Sequence, residues 1–521
     1  MEKNPLLNSK HTGVLLPLFS MNSRDDFGIG DISSLKEWLE VLREMNFDLL
    51  QILPINEMPP QTNCPYTSMT AFAIDPVYLA IKDVENLSPE IKKTINSKEF
   101  GEKIKEFKQK DYIDYDGIKK LKFGLMWEQY NHFSLKFGPG SPEYGKFEAY
   151  MAANAYWLDD YAVFRRLKDL KGWTSWTHWE DGVRNHDHAA LENFRKEQFF
   201  NIDFFKYLQW EIEKQWRQAR EKAGKYGIKF FGDLPFMVSQ ESADVWSRQR
   251  DFSIDMEVGA PPDAFSETGQ KWGLPAYNWP ELEKNDFEWW RLKVKKFADF
   301  YDIFRIDHMV GFFRTWIIPR NPSLKPSFDI LDPLAQENRG RNFLKAVLSA
   351  SPMLPIAEDL GVIPDYVYRV LKELHVCGYK VLRWEKTKDG HYKEPEIFDE
   401  ISFATTSTHD NEPMALWWEE VDRAERKRFW EMVSPKKGKV PLSYAKARDR
   451  VVEKTMKANS AFAVFPLQDL TASKERVNEP NTVGAHNWAY RLREDAGKFF
   501  KKNGELIAFL RKNAAERHEK K

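Results

Sequence analysis

Four carboxylates stand at the ends of short apolar runs. They are Asp233 in IKFFGDLPF, Asp307 in YDIFRIDHMVGFF, Glu358 in MLPIAEDLG and Asp410 in ISFATTSTHD. β-Branched and aromatic residues fill these runs, which is the composition of buried strands. A carboxylate at the C-terminal end of a parallel strand lies where catalytic groups collect in an α/β barrel. Several like charges in one pocket force their pKa values apart, and a split pair supplies one proton donor and one nucleophile or base. Arg305 is two residues before Asp307, so on a strand both side chains point to the same face. That pair also fits a buried structural ion pair. Glu358 is flanked by Ile356, Ala357 and Leu360, and this apolar setting favours its protonated form. An acid and a nucleophile on either side of an oxocarbenium-like transition state fit glycoside chemistry. Metal-assisted hydrolysis is the competing chemistry, with His186, His188 and the His409–Asp410 pair as conceivable ligands. No H-E-x-x-H motif or Cys/His cluster supports it, so neither a metal nor a cofactor is expected.

Composition narrows the class. The 521 residues are 42% hydrophobic and 14% aromatic, enough for a large core, and the net charge is −1. A nucleic-acid binder carries a basic footprint that is missing here. No apolar run reaches membrane length, and MEKNPLLNSK lacks the apolar core of a secretory signal. Cys64 and Cys377 make no disulfide framework. These features predict a cytoplasmic protein without nucleic-acid or membrane partners. The 19 Trp, 19 Tyr and 37 Phe suit a core, and their flat faces also suit sugar rings.

The carboxylates need a frame to hold them. Phe47–Ile55, Ala73–Ile81, Lys380–Trp384 and Ala461–Leu470 read as further strands, giving about eight that alternate with amphipathic segments. The pattern predicts an α/β fold, a (β/α)8 TIM barrel, with a doubly wound open sheet as the alternative. Gly28 and Gly30 form a lone G-x-G, too little for a nucleotide site. Residues 1–521 are expected to form one catalytic barrel without a separate C-terminal β-domain. Residues 85–225 read as a mostly helical insertion. Residues 240–300 read as a second insertion, carrying a long loop at 259–279 without helical or strand period. Ser34-x-x-Glu37 reads as a capping box for the first helix.

At FRIDH, Phe304–His308, the chain resembles the amylomaltases, or disproportionating enzymes, a 4-α-glucanotransferase branch of the α-amylase superfamily. AEDLG (357–361), STHDNEP (407–413), GDLPF (232–236) and GAPPDAFSETGQKWG (259–273) are similar to further segments of that family. The resemblance covers almost the whole chain. It implies Asp307 as nucleophile, Glu358 as acid/base and Asp410 as the carboxylate that holds the reacting sugar. It further implies that Arg305 orients Asp307, that His308 and His409 touch sugar, and that Tyr66 stacks on the donor. The 259–273 segment would cover the cleft, with Asp263, Gln270 and Trp272 facing substrate. Asn478 and Asn487 would lie near the same cleft. Asp233 matches a position that is structural in the superfamily. Glu57–Cys64, EMPPQTNC, departs from the family pattern by lacking a tyrosine, so a secondary glucan site is not implied.

Such a carboxylate set serves double displacement with retention but leaves the acceptor open. Water makes a hydrolase, whereas a sugar 4-hydroxyl makes a transferase, which must keep water from reacting first. Phe265 and Trp272 in the covering loop suit that task. The resemblance implies transfer among malto-oligosaccharide and α-1,4-glucan substrates. A non-catalytic glucan binder is the remaining class, and it would have no need of an acid paired with a nucleophile.

Overall fold

The computed structural model describes residues 3–262, 269–434, 438–480, 482 and 484–520. Eight parallel strands close into a barrel: β1 (His11–Leu15), β2 (Leu49–Gln51), β3 (Lys229–Leu234), β6 (Ile303–Ile306), β9 (Leu354–Ala357), β10 (Cys377–Val381), β11 (Ser402–Thr405) and β12 (Phe462–Pro466). They neighbour one another in that order, and β12 pairs back onto β1. The strands are short and almost wholly buried, as expected when helices cover a parallel sheet.

Register does the positioning. Leu234 lies opposite Ile306, and Ile306 opposite Ala357. The next residues along these three strands are therefore neighbours, and they include Asp307 and Glu358. The adjacent Asp359 turns the other way. Its Oδ1 accepts the Tyr379 N–H at 2.7 Å, and a Cβ at Gly378 would sit 2.2 Å from its Oδ2. Glycine at 378 thus lets Asp359 brace β10 while Glu358 faces the barrel mouth.

Between β2 and β3 the chain is mainly helical, with long helices at Tyr115–Lys136, Pro142–Leu170 and His188–Lys225. Their aromatic stripes pack inward, as the Phe133, Phe147, Tyr207 and Trp210 rings do on one another. Between β3 and β9 lies an antiparallel sheet of β4 (Phe252–Ala260), β5 (Gln270–Tyr277), β7 (Trp316–Pro319) and β8 (Ser327–Phe328), ordered β5-β4-β7-β8. After β12 the described residues hold helices and no strand.

Three sequence expectations need correction. Ala73–Ile81 is not a strand. Asp75 accepts the Val77 N–H and starts a 3-10 turn at Pro76, and a second turn follows at Ile81–Asp83. The eighth barrel strand is instead β1, His11–Leu15. Within 259–279 the described residues end β4 and form β5, so the segment carries the arms of a hairpin. A register shift on β4 between Ser253 and Glu257, another on β5 between Lys271 and Pro275, and Pro275 itself break its period of two. The first helix, Ile32–Met45, is capped by Asp31 with Ser34, one turn earlier than the Ser34–Glu37 pattern. No helix among the described residues is long and apolar enough to cross a membrane.

Candidate active site

A cavity of about 500 Å³ opens at the C-terminal ends of the barrel strands. Asp307, Glu358 and Asp410 all line it, with Arg305, His308, His409, Tyr66, Trp272 and Asn478 around them.

Arg305 organises the floor. Its Nη2 lies 2.7 Å from Asp307 Oδ1 and 3.8 Å from Glu358 Oε2, while Nη1 lies 2.9 Å from both oxygens of Asp233. Asp233 is fully buried, and burial raises its pKa against the pull of Arg305. It also accepts the Tyr66 hydroxyl at 2.7 Å. Asp233 is therefore the counter-ion that holds Arg305 in place. Asp307 is fixed from two further sides: its N–H donates to Leu234 O at 3.3 Å, and its Oδ2 faces the Phe236 N–H at 3.4 Å.

Glu358 is set up as a proton donor. Burial pushes its pKa up to about 8, with Asp307 reinforcing the rise and Arg305 and the His308 N–H opposing it. That N–H reaches Glu358 Oε2 at 2.8 Å because His308 takes a left-handed backbone, φ 48°. A non-glycine residue held there marks a constrained site. Burial holds the His308 imidazole down to about 4, so it stays neutral at physiological pH. Asp410 behaves differently. Burial favours its neutral form, but His409, Arg305 and Asn478 outweigh this and hold it below the usual carboxylate range. His409 Nε2 lies 2.9 Å from its Oδ2, and Asn478 Nδ2 donates to its Oδ1 at 2.8 Å. One neutral acid, Glu358, and one ionised carboxylate, Asp410, can thus coexist in one cavity at pH 7.

The hairpin forms the roof. Trp272 on β5 meets the His308 ring edge-on at 4.8 Å, and its indole N–H donates to Gln270 Oε1 at 3.0 Å. Gln270 itself does not line the cavity. Asp263 and Phe265 lie outside the described residues. Asn487 is buried and turned into its own loop, donating to Thr482 O at 3.1 Å and accepting the Glu479 N–H at 2.8 Å. It lines a neighbouring groove rather than the cavity.

Other lining residues escaped the sequence reading: Gln51, Tyr379, Trp384, Asn411 and Trp488. Gln51 had a signal, being the lone amide in the apolar run FDLLQILPI. Trp488 had none, because its contact with the Tyr66 ring at 5.4 Å joins residues far apart in sequence.

A family profile described as 4-alpha-glucanotransferase matches residues 16–496. The chain belongs to the 4-alpha-glucanotransferase family, glycoside hydrolase family 77. Its reaction is the transfer of a 1,4-α-glucan segment to the 4-hydroxyl of an acceptor sugar, by double displacement through a covalent glucosyl-enzyme. A 4-alpha-glucanotransferase of Chlamydia caviae is 31% identical, over 93% of this chain and 91% of its own length. One of Aquifex aeolicus is 30% identical, over 93% of this chain and 95% of its own length. Among solved structures, the amylomaltase of Streptococcus agalactiae in complex with acarbose has a TM-score of 0.81 and 25% identity, covering 98% of this chain and 99% of its own.

Proposed function

We propose that Asp307, Glu358 and Asp410 carry the family's transfer reaction in this chain. Asp307 attacks the anomeric carbon of the donor glucan, and the Glu358 carboxyl gives its proton to the departing glycosidic oxygen. A glucosyl ester on Asp307 results. The acceptor 4-hydroxyl then enters, returns its proton to Glu358 and displaces Asp307. Asp410 holds hydroxyls of the reacting sugar. Arg305 orients Asp307, His308 and His409 contact sugar, and Tyr66, Trp272 and Asn478 border the donor and acceptor paths. Gln270 shapes the roof and Asn487 the adjoining loop rather than meeting sugar; Asp263 lies outside the described residues. Malto-oligosaccharides and α-1,4-glucans are the substrates, and the reducing cytoplasm is the compartment that suits the free Cys64 and Cys377.

The observation that carries this reading is that one Arg305 nitrogen reaches both Asp307 and Glu358. The nearest oxygens of the two carboxylates are then no farther apart than those two distances laid end to end. That falls at or short of the roughly 6.5–9.5 Å separation of inverting enzymes and fits the retaining geometry. Incubation with maltotriose tests it. The expected outcome is glucose plus a ladder of longer maltodextrins, with total reducing ends constant. Shorter sugars alone with rising reducing ends mean that water is the acceptor and overturn the transferase reading. Binding without any reaction overturns the assignment of the trio.

A further inference from the structure

Lys293 is a buried cation that the reaction scheme leaves unused. It lies on the helix Glu288–Phe297, which leads into β6, and is 1% exposed. A buried ammonium ordinarily pairs with a carboxylate, because leaving water is otherwise too costly. Elsewhere in the chain this holds: Lys296, on the same helix, meets Glu213 at 2.8 Å. Among the described residues Lys293 has no carboxylate within salt-bridge distance. Its Nζ donates to the carbonyl of Pro235 at 2.9 Å, and the Trp290 and Trp289 rings lie 4.1 and 5.1 Å away.

That carbonyl and the Phe236 N–H belong to one peptide unit. The N–H on its other side points at Asp307 Oδ2. A hydrogen bond to the carbonyl of an amide polarises the amide and strengthens its N–H as a donor. We infer that Lys293 is a positioning residue for Asp307, acting through the Pro235–Phe236 peptide. The peptide is aimed at the carboxylate that bonds to the sugar in the first step and leaves it in the second. A fixed donor there stabilises the charge that returns to Asp307 as the glucosyl ester breaks. Burial lowers the ammonium to about 7, while Asp244, Asp307 and Asp233 oppose the fall. Charged or neutral, the amine keeps an N–H to give to Pro235.

The inference rests on Asp307 being the nucleophile, and the experiment separates the two. Maltotriose transfer and thermal unfolding are measured on the full chain for Lys293→Met, Lys293→Arg and Asp307→Asn. Lys293→Met is expected to lower kcat by about tenfold to a hundredfold, with KM changed by less than about threefold. Its Tm should equal or exceed that of the parent, because an apolar chain replaces an ion without a carboxylate contact. Lys293→Arg, which keeps a donor and a charge, should recover most of kcat. A kcat within about twofold of the parent in Lys293→Met overturns the inference. So does failure of that variant to fold, or a Tm loss that accounts for its lost activity, since the role is then structural. Retained transfer in Asp307→Asn removes the nucleophile assignment itself. Loss there with full activity in Lys293→Met removes only the positioning role.

Discussion

Where the helical insertion meets the barrel, Glu57 has Arg165 at 2.9 Å and the Tyr161 hydroxyl as a second donor. Lys122 has the Asp31 carboxylate at 3.5 Å and gives its protons to the carbonyls of Val77 and Leu79 at 2.6 and 2.7 Å. Charge there is matched locally, and each group is held by partners of its own. At the barrel mouth Asp233, Asp307 and Glu358 share the single guanidinium of Arg305. The composition of the two regions is similar, but the stoichiometry differs. Full pairing fixes a fold. Burial raises the pKa of both Glu57 and Glu358, and at the mouth, where the guanidinium is shared and Asp307 adds to the rise, Glu358 stays protonated at neutral pH, which is what an acid catalyst needs.

The comparison is sharpened most by removing the under-paired groups. Glu358→Gln and Asp307→Asn are each expected to cut kcat by about a thousandfold or more. Tm should hold, because a buried neutral carboxyl is replaced by a neutral amide in Glu358→Gln, and in Asp307→Asn the Arg305 guanidinium keeps Asp233 as its counter-ion. Calorimetry beside maltotriose kinetics checks both halves. A collapse in Tm would erase the contrast between the regions.

Arg165→Met is the converse. Stranding Glu57 should cost roughly 3–5 kcal/mol of stability. In denaturant titration this appears as an early midpoint, while the folded fraction keeps its kcat within about twofold.

The pH dependence comes next. Transfer should decline as pH rises through about 8, where Glu358 loses its proton. Stability follows the same group. Its folded pKa lies above its ordinary 4.5, so the folded chain binds the proton more tightly. The contribution is whole below about 4.5 and is lost as pH climbs through about 8. The Tm of Glu358→Gln relative to the parent should therefore grow from pH 5 to pH 8. A gap that stays constant would mean that Glu358 ionises normally.

The smallest effect is expected from Tyr66→Phe. It removes one hydroxyl shared by Asp233, His409 and Arg305, and kcat should fall by about threefold to tenfold. An effect as large as that of Glu358→Gln would place Tyr66 in the chemistry itself.

Residues that a strand aligns by its own geometry were legible in the sequence. Arg305 and Asp307 share a face because they are two apart on β6, and Asp307 and Glu358 meet because each follows the end of a buried parallel strand. Legibility stopped where position depends on chain reversal or on distant partners. The hairpin was hidden by register irregularities on both β4 and β5 and by Pro275. Asn487 lies in the right segment, but its side chain is needed to close its own turn. Lys293 sits in WWRLKVKKF among other basic residues, and nothing local distinguishes the two buried lysines, Lys293 and Lys296, from the exposed Lys295 or from each other. Trp488 and Tyr66 meet only after the barrel closes through β12 and β1.

The roof sheet has a consequence for how such chains can diverge. β4 hydrogen-bonds to β7, and β7 follows β6 after one short 3-10 segment at Met309–Phe312. The roof sheet and Asp307, the proposed nucleophile, thus occupy one continuous stretch of chain. Exchanging residues 252–277 between relatives would leave the docking strand behind, with a foreign register to accept. The workable crossover unit runs from 252 through 328 and takes Asp307 with it. In recombination, natural or engineered, the roof hairpin and the strand that positions Asp307 travel as a single unit.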